Sequence, residues 1–532
     1  MKNFSLKIKL ISYSLLAIFA FYINYYFANK GLYPIDTFSF FDSGYLITKG
    51  YHPIKDFWII SGLFVDYSQA LFFLLFGANW NAYVFHASIV NASLSIFFLF
   101  FLNNFNKNFY LNLILSISLS ILCYPVSGTP FPYQHSYIIS LFSIMFFYLA
   151  VKKEEKKYWV FLPISMFLSF FSMQLPSGLI NIQIFIFMIL YFIINNKKFL
   201  IFFFIGVTIS ILILLIYFLI VKVDIRDFLI QIFLFPMTIG EGRIVGTPEA
   251  FESAKLLNRF TIRGVLGHFK FINLFLLANI ILLFIYLKKK IILNEIILNL
   301  FILFCGISFI FHQLITANQT FIFSLIPILC GFILIQLNEI EIRNKYKIKL
   351  FLVILIIFVT IKYNEVYNIK RKFMDLQNIN LQNAISAKNL NEKFNNLKWI
   401  TPFYFSKNPS EELTLLKDAV VYISNFDNEN YALITHYQLF SILLEKQIYI
   451  FNRWYFSNNN TFPSSKQNKY YEFYNKKINE IIVKKKIKKI FIVESHPGEF
   501  NFINFNDLIK DKCFSKEYIN KMLYFINISD CK

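Results

Sequence analysis

The stretch FLIFFFIGVTISILILLIYFLIV (199–221) decides the fold class, because it is long, apolar and free of charged residues. A helix of about 20 apolar residues is what the hydrocarbon core of a bilayer requires. The whole chain has the same character: 57% of its 532 residues are hydrophobic, 16% are charged, and the mean hydropathy is +0.54. These values exclude an ordinary soluble domain. The sequence predicts an α-helical polytopic membrane protein.

Segments of suitable length and hydropathy predict about eleven transmembrane helices. They lie at 10–28, 81–102, 111–124, 134–151, 158–174, 178–194, 199–221, 270–287, 291–311, 320–337 and 348–363. The run at 67–77 is long enough only for a helix in the membrane interface. The first apolar run lacks a small-residue cleavage site and leads into further spans, so we interpret it as an anchor rather than a signal peptide.

Lysine and arginine concentrate in alternate short loops, which predicts that these loops are cytoplasmic. Loops 152–157, 195–198 and 288–290 are lysine-rich, whereas loops 125–133, 173–177 and 313–319 contain no lysine or arginine. The N-terminus is therefore predicted to be cytoplasmic, and an odd number of spans puts the tail on the other side. We expect a multi-pass protein of a bacterial inner membrane, with a periplasmic C-terminal domain.

The two predicted domains are residues 1–363, which hold the spans, and residues 364–532, which lie outside the cytoplasm. The tail begins with a charged, helix-like stretch at about 364–395 and continues with the β-rich runs YALITH (431–436), QIYIFN (447–452) and KIFIVES (489–495). Helical patterns separate these runs, so we expect a small α/β domain with a mostly parallel sheet. No glycine-rich phosphate loop follows a strand, and a nucleotide cofactor is not expected.

The formal charge of +21 usually suggests nucleic acid as a partner. Here lysine accounts for nearly all of it, and only seven arginines occur. We attribute the lysines to compositional background and to the orientation signal, and we predict no nucleic-acid partner. The rare arginines are more informative, because four of the seven lie in the second large outer loop, 222–268.

Every aspartate and histidine of the chain falls on or near the outer side of this topology, so any chemistry is expected to face outward. The first outer loop, 29–66, is long and aromatic. A carboxylate beside the bilayer, with arginines from a second loop, suits a lipid-linked phosphosugar. Arginine binds the phosphate of the leaving group, and a carboxylate takes the proton of an acceptor hydroxyl.

The stretch FDSGYLITKGYHPIKDFWIISGLFVDYSQALFFLLFG (41–77) resembles the first outer loop of GT-C superfamily glycosyltransferases. These include the protein O-mannosyltransferase-like and lipid A aminoarabinose transferase-like families. Their pattern of Asp-Glu-Gly-Tyr, a glycine, Pro-Tyr-x-Asp and a helix ending in Phe-Gly is matched here by 42–45, Gly50, 53–56 and 76–77. The segment 171–178 (FSMQLPSG) is similar to a degraded Lys-Gln-x-x-Gly of related proteins.

The resemblance implies a polytopic glycosyltransferase that uses a polyprenyl-phosphate sugar donor and a glycan, lipid or protein acceptor. It implies Asp42 as the catalytic base, with Lys55 and Asp56 near the donor head group. Ser43 replaces the usual acidic residue, which argues against a two-carboxylate metal site. Metal dependence stays open, with a divalent ion as one possibility.

Each candidate has a structural alternative. Asp42 suits a helix cap as well as a base, and Asp36, behind Pro34, is the second candidate base or else a turn residue. The guanidinium groups of Arg243, Arg259 and Arg263 suit phosphate or, alternatively, anionic lipid.

Further candidates lie in or near the outer loops. His52, His312 and Gln313 are candidates to hydrogen-bond the sugar, whereas ordinary interfacial packing is the alternative for the two histidines. Segment 240–252 suits a lid or an acceptor-binding loop. Cys513 and Cys531 are candidates for a disulfide if the tail is exported.

Three other functions are compatible with such a chain. A transporter or flippase of lipid-linked saccharides is expected to carry charges and helix breaks at mid-membrane depth, and most spans have none. A polysaccharide polymerase or ligase also carries arginine-rich outer loops, but it fits the first loop and the C-terminal domain less well. A non-catalytic scaffold is the third alternative.

Overall fold

The computed structural model describes most of the chain. The described residues are 6–123, 127–195, 197–245, 256–289, 291–316, 322–342, 344–402, 404–426, 429–510 and 512–531. They form a helical bundle and a small C-terminal domain built on a mixed sheet.

Nine of the described helices are long and apolar enough to cross a membrane by length and composition. They are Lys7–Ala28, Trp80–Asn103, Pro132–Lys153, Gln174–Ile194, Lys197–Val221, Ile225–Val245, Lys270–Lys288, Leu293–Thr316 and Lys345–Met374. Shorter bundle helices are Leu63–Phe76, Phe109–Leu122, Lys156–Ser172 and Leu325–Asn338. Each of the eleven predicted segments coincides with one of these helices, although only eight of the eleven meet the length and composition of a span. The sequence prediction therefore found the bundle but counted its spans differently.

The predicted second outer loop is largely helical, which the sequence did not reveal. Residues Ile225–Val245 form one continuous helical stretch, and its contacts identify its direction. It starts three residues beyond the Leu200–Val221 helix, and Arg243 near its far end interacts electrostatically with His312, close to the end of the Leu293–Thr316 helix. The first and last residues of the Ile225–Val245 helix thus lie at the same end of the bundle. We infer that this helix runs along the membrane surface.

The two ends of the bundle differ in their polar contacts. At one end the predicted cytoplasmic loops meet, because Lys152 pairs with both Glu295 and Glu339 and Lys198 pairs with Glu154. The other end carries the C-terminal domain. The lysine-rich loops are therefore on the opposite side of the bundle from the domain.

The domain contains the sheet order β4-β3-β5-β7-β6. Its strands are β3 (Tyr431–Thr435), β4 (Tyr449–Ile450), β5 (Lys489–Val493), β6 (Cys513–Tyr518) and β7 (Leu523–Ser529), and a separate pair is formed by β1 (Ile385–Ser386) and β2 (Lys398–Trp399). The three strands predicted from sequence are β3, β4 and β5, and they are parallel. Strands β6 and β7 form an antiparallel hairpin that the sequence analysis missed. A disulfide joins Cys513 to Cys531.

Helices flank the sheet where helical patterns were predicted, at Pro409–Ser424 and Tyr471–Lys484. The predicted helix at 364–395 is wrong beyond its first turns. After the π-helical turn Asn364–Ile369 the chain forms short 3-10 turns. Asparagine side chains cap two of them: Asn380 accepts from the backbone N–H of Gln382 and Asn391 from that of Lys393. Such local bonds compete with a continuous helix.

The first loop is joined to the domain by backbone hydrogen bonds. Gly31 and Leu32 donate to the carbonyl oxygens of Lys398 and Ile400 at 2.9 and 3.0 Å. Farther along, Trp58 donates to Phe451 at 2.7 Å. These bonds fix the loop against the domain, and the candidate site lies between them.

Candidate functional site

The Asp-Ser-Gly-Tyr motif lies in the helix Phe41–Thr48, which is buried between the bundle and the domain. Asp42 has no exposed surface, and its two carboxylate oxygens accept the backbone N–H groups of Ser441 and Ile442 at 3.1 and 3.2 Å. Burial raises the pKa of Asp42 to about 7, while these bonds oppose the rise. The carboxylate caps a short helix of the domain, Phe440–Leu443. This is the capping alternative, and it leaves little room for a substrate.

Ser43 and Gly44 have structural contacts as well. Ser43 donates to Asp66 at 2.6 Å, and Asp66 forms a fully buried ion pair with Arg453 of the domain. A Cβ atom on Gly44 would lie only 2.8 Å from Cγ of Gln69. The motif therefore holds two helices and the domain together.

Asp36 contrasts with Asp42. It lies in the short helix Pro34–Thr37, is partly exposed, and its carboxylate has no hydrogen-bond or ion-pair partner among the described residues. Burial raises the pKa of Asp36 to about 7, His436 lowers it and Asp375 raises it further. A carboxyl group that titrates near neutral pH is suited to proton transfer.

The domain contributes a histidine–carboxylate pair beside Asp36. The two ring nitrogens of His436 lie 2.8 Å from the Glu499 carboxylate and 2.6 Å from the carbonyl oxygen of Tyr455. Both partners are acceptors, an arrangement that only the doubly protonated imidazolium satisfies completely. Burial raises the pKa of Glu499, but the bonds from His436 and Ser495 outweigh it, so the net shift is downward.

The position of this pair follows from the sheet. Strands β3 and β5 are parallel neighbours, and His436 directly follows β3 while the loop that contains Glu499 follows β5. Carboxyl ends of parallel strands meet at one edge, where α/β folds bind ligands. Neither His436 nor Glu499 was predicted as a site residue. The available signal was their position, because His436 ends one predicted strand and Glu499 follows another.

Trp454 ties the pair to the first loop. Its indole N–H donates to the carbonyl oxygen of Ile35 at 2.9 Å, one residue before Asp36. Because Tyr455, the next residue, holds His436, the imidazole and Asp36 are brought to the same place. We call Asp36, His436, Trp454 and Glu499 the Asp36 site.

An aromatic wall leads away from the Asp36 site. Ring centroids are 6.2 Å apart between Trp454 and Phe131, 5.6 Å between Phe131 and Tyr133, and 5.9 Å between Tyr133 and His312. His312 is fully buried; its Nδ1 lies 3.2 Å from Nε2 of Gln313, and its Nε2 has no hydrogen-bond partner. All four side chains are buried, so the wall is a packed aromatic row between the Asp36 site and His312.

The wall ends at a basic cleft. Its volume is about 310 Å³, and it is lined by Asn258, Arg259, Thr261, Arg263, Gly264, His268 and Leu314. Arg259 donates to the carbonyl oxygens of Leu314 and Ile315 at the end of a bundle helix, and Arg243 lies within electrostatic range of Arg259. Burial, followed by Arg243, lowers the pKa of Arg259. No carboxylate of the described residues pairs with Arg243, Arg259 or Arg263. We call this the arginine cleft.

The other predicted donor residues lie elsewhere. Lys55 donates to the carbonyl oxygen of Val221 at 2.8 Å, and Asp56 accepts the backbone N–H of His52 at 3.0 Å. His52 also contacts the hydroxyl of Tyr67 at 2.9 Å. These partners belong to neither the Asp36 site nor the arginine cleft, so the structure does not bring these three residues to the other candidates.

The described part of the chain holds no group of three or more histidine, cysteine, aspartate or glutamate side chains that could bind a metal ion. The predicted lid at 240–252 lies partly outside the described residues, which end at 245 and resume at 256.

Comparison of the chain with protein-family models and with curated proteins finds no match. The resemblance of residues 41–77 to GT-C glycosyltransferases therefore stays a prediction.

Proposed function

We propose that this chain is a glycosyltransferase that moves a sugar from a polyprenyl-phosphate donor to a glycan, lipid or protein acceptor at the outer face of a bacterial inner membrane. The observation that carries the proposal is the position of Asp36 and the arginine cleft at the same end of an apolar bundle. Among the described residues, the Asp36 carboxylate has no hydrogen-bond or ion-pair partner, and no carboxylate pairs with the arginines of the cleft. Asp36 suits the acceptor hydroxyl, and the arginine cleft suits the phosphate of the donor.

Asp36 acts as the general base. Its carboxylate accepts the proton of the acceptor hydroxyl, the hydroxyl oxygen forms a bond to the anomeric carbon, and the bond from that carbon to the phosphate oxygen breaks. Asp42 is the base that the sequence resemblance implies, but its burial and its two backbone partners favour Asp36. General bases contribute about 10²–10⁴-fold to rates.

The arginine cleft binds the donor phosphate. Guanidinium groups form bidentate, charge-assisted bonds to phosphate and stabilise it as a leaving group. The Ile225–Val245 helix, lying along the membrane surface, holds Arg243 at the depth of a lipid head group.

The orientation has two supports. Lysine-rich loops meet at the end of the bundle opposite the domain, as expected if that end is cytoplasmic. The disulfide between Cys513 and Cys531 suits an oxidising compartment for the domain.

The test is mass spectrometry of surface glycans and lipids from a strain that lacks this protein. We expect one glycan or lipid to lose a sugar and its polyprenyl-phosphate donor to accumulate. The wild-type gene should restore the sugar, whereas the double variant Arg259→Met, Arg263→Met should restore little. Arg226→Met, which changes an exposed arginine on the same surface, is the matched control. If no glycan or lipid loses a sugar, the proposal is wrong.

A transporter or flippase of lipid-linked saccharides is the second candidate. It is favoured by a buried histidine pair, His86 and His135, whose Nε2 atoms lie 3.2 Å apart in the first two turns of two bundle helices. Ionisable side chains that face the interior of a bundle often mark transport pathways. If the protein is a transporter, broken membranes of the strain that lacks it should retain sugar transfer. If the protein is the transferase, those membranes should lose sugar transfer as well.

A further inference from the structure

Arg371 is buried without an anionic partner. It is 1% exposed, and the described residues provide only the carbonyl oxygen of Ser127, 3.4 Å from Nη2, and the sulfur of Met374 as acceptors. Its Nε and Nη1 groups have no hydrogen-bond partner. A buried charge is normally paired, because an isolated one costs several kcal/mol.

The backbone holds this side chain inward at a cost. Arg371 and Asp375 are both in the left-handed region, with φ of 49° and 54°, on either side of the turn Lys372–Met374. Non-glycine residues seldom adopt this conformation, and such strain collects at functional sites. Asp375, the nearest carboxylate in sequence, is exposed and forms no ion pair with the arginine.

The segment whose carbonyl oxygen accepts from Arg371 also carries hydroxyl groups that suit an anion. The segment 127–129 supplies two buried hydroxyls, those of Ser127 and Thr129, which lie 2.6 Å apart. Lys372, next in the chain, interacts electrostatically with His268. Hydroxyls and a guanidinium fork are the usual ligands of phosphate oxygens.

We propose that Arg371 and the hydroxyls of Ser127 and Thr129 form a binding site for a phosphate-type oxyanion, separate from the arginine cleft. The ligand pairs with the free Nε–H and Nη1–H edge of the guanidinium. Its source is either a free phosphate or a phospholipid head group. The proposal does not depend on the transferase function.

The test is thermal unfolding of the purified full chain in neutral detergent. The background variant carries Arg259→Met and Arg263→Met, so that the arginine cleft does not contribute. Inorganic phosphate is one probe and phosphatidylglycerol in mixed micelles is the other, with chloride at equal ionic strength as the reference. A ligand that binds only the folded state raises the unfolding temperature with concentration.

We expect phosphate, phosphatidylglycerol or both to raise the unfolding temperature of the background variant and not that of the same variant with Arg371→Met. Without a probe, Arg371→Met should unfold at an equal or higher temperature, because it removes an unpaired buried charge. Arg226→Met is the control and should keep the full shift.

The responses also separate the sources. A shift with phosphatidylglycerol alone identifies a lipid head group, and a shift with inorganic phosphate identifies a free anion. The proposal is overturned if neither probe raises the unfolding temperature, or if Arg371→Met leaves the shift intact.

Discussion

Asp36 and Asp42 lie six residues apart in the same loop, yet the structure treats them in opposite ways. Asp42 has no exposed surface and both of its oxygens are occupied by backbone N–H groups. Asp36 is partly exposed, and its carboxylate has no hydrogen-bond or ion-pair partner in the described part of the chain. Burial raises both pKa values to about 7, so the pKa does not distinguish them. The two aspartates are distinguished by their exposure and by the hydrogen-bond partners of their carboxylates.

This difference between the two aspartates shows that a motif that resembles a catalytic one can have a packing role. The Asp-Ser-Gly-Tyr stretch looks catalytic by resemblance, but its aspartate caps a helix, its serine binds the buried Asp66–Arg453 pair and its glycine permits close helix contact. The Pro-Ile-Asp-Thr turn, predicted only as the second choice, carries a carboxylate without a partner among the described residues. Four measurements would break or sharpen this contrast.

The largest effect is expected for Asp36→Asn. The amide cannot take a proton, so sugar transfer in the complemented deletion strain should fall about 10²–10⁴-fold. Asp375→Asn is the matched control, because it changes a nearby exposed carboxylate. Mass spectrometry of the glycan measures both variants. Asp42 would be the base instead if Asp36→Asn kept full sugar transfer while Asp42→Asn lost sugar transfer at normal stability.

Arg453→Met should be the most destabilising change in the motif region. It leaves Asp66 buried without its cation, which typically costs about 3–5 kcal/mol. Denaturant unfolding in detergent measures this, and Lys388→Met, which breaks an exposed pair with Glu392, should change stability by less than about 1 kcal/mol. Equal effects of the two variants would mean that the buried pair does not hold the domain.

Asp42→Ala should cost less, about 1–3 kcal/mol, because two backbone N–H groups lose their acceptor. Asp42→Asn should cost less than Asp42→Ala, since its amide oxygen still accepts. Both variants should keep sugar transfer per folded molecule, measured after correction for folded protein. A selective loss of transfer in a stable Asp42→Asn variant would contradict the capping role.

The smallest effect is a pH shift. A base must be ionised, so transfer should rise with pH through about 7, the pKa of Asp36. His436 favours the ionised form, and His436→Gln should therefore raise the pKa of Asp36 and move the rise in transfer to higher pH. The pH profile of transfer in isolated membranes measures the shift, with His496→Gln as the control. An unchanged profile would mean that His436 does not act on Asp36.

The sequence predicted the bundle well, because hydropathy reports span position directly. It missed the helix Ile225–Val245, whose single proline and two glycines resemble a loop, and the β6–β7 hairpin, whose pattern lies in a lysine-rich tail. Asp36, Arg259 and Arg263 were predicted from residue type and location. His436 and Glu499 were not, because their approach to Asp36 joins residues some 400 positions apart, and only the sheet topology reveals it.

The backbone bonds between the first loop and the domain also set an order of assembly. Residues 31–58 are synthesised early, but their partners at 398–453 are made only after the last membrane helix. The Asp36 site therefore cannot close while the chain is still being translated through the bundle. Contacts between residues so distant in sequence form slowly. Asp66 also has no Arg453 to pair with until the C-terminal domain has been synthesised. Biogenesis of this protein is thus expected to be limited by the docking of its final third.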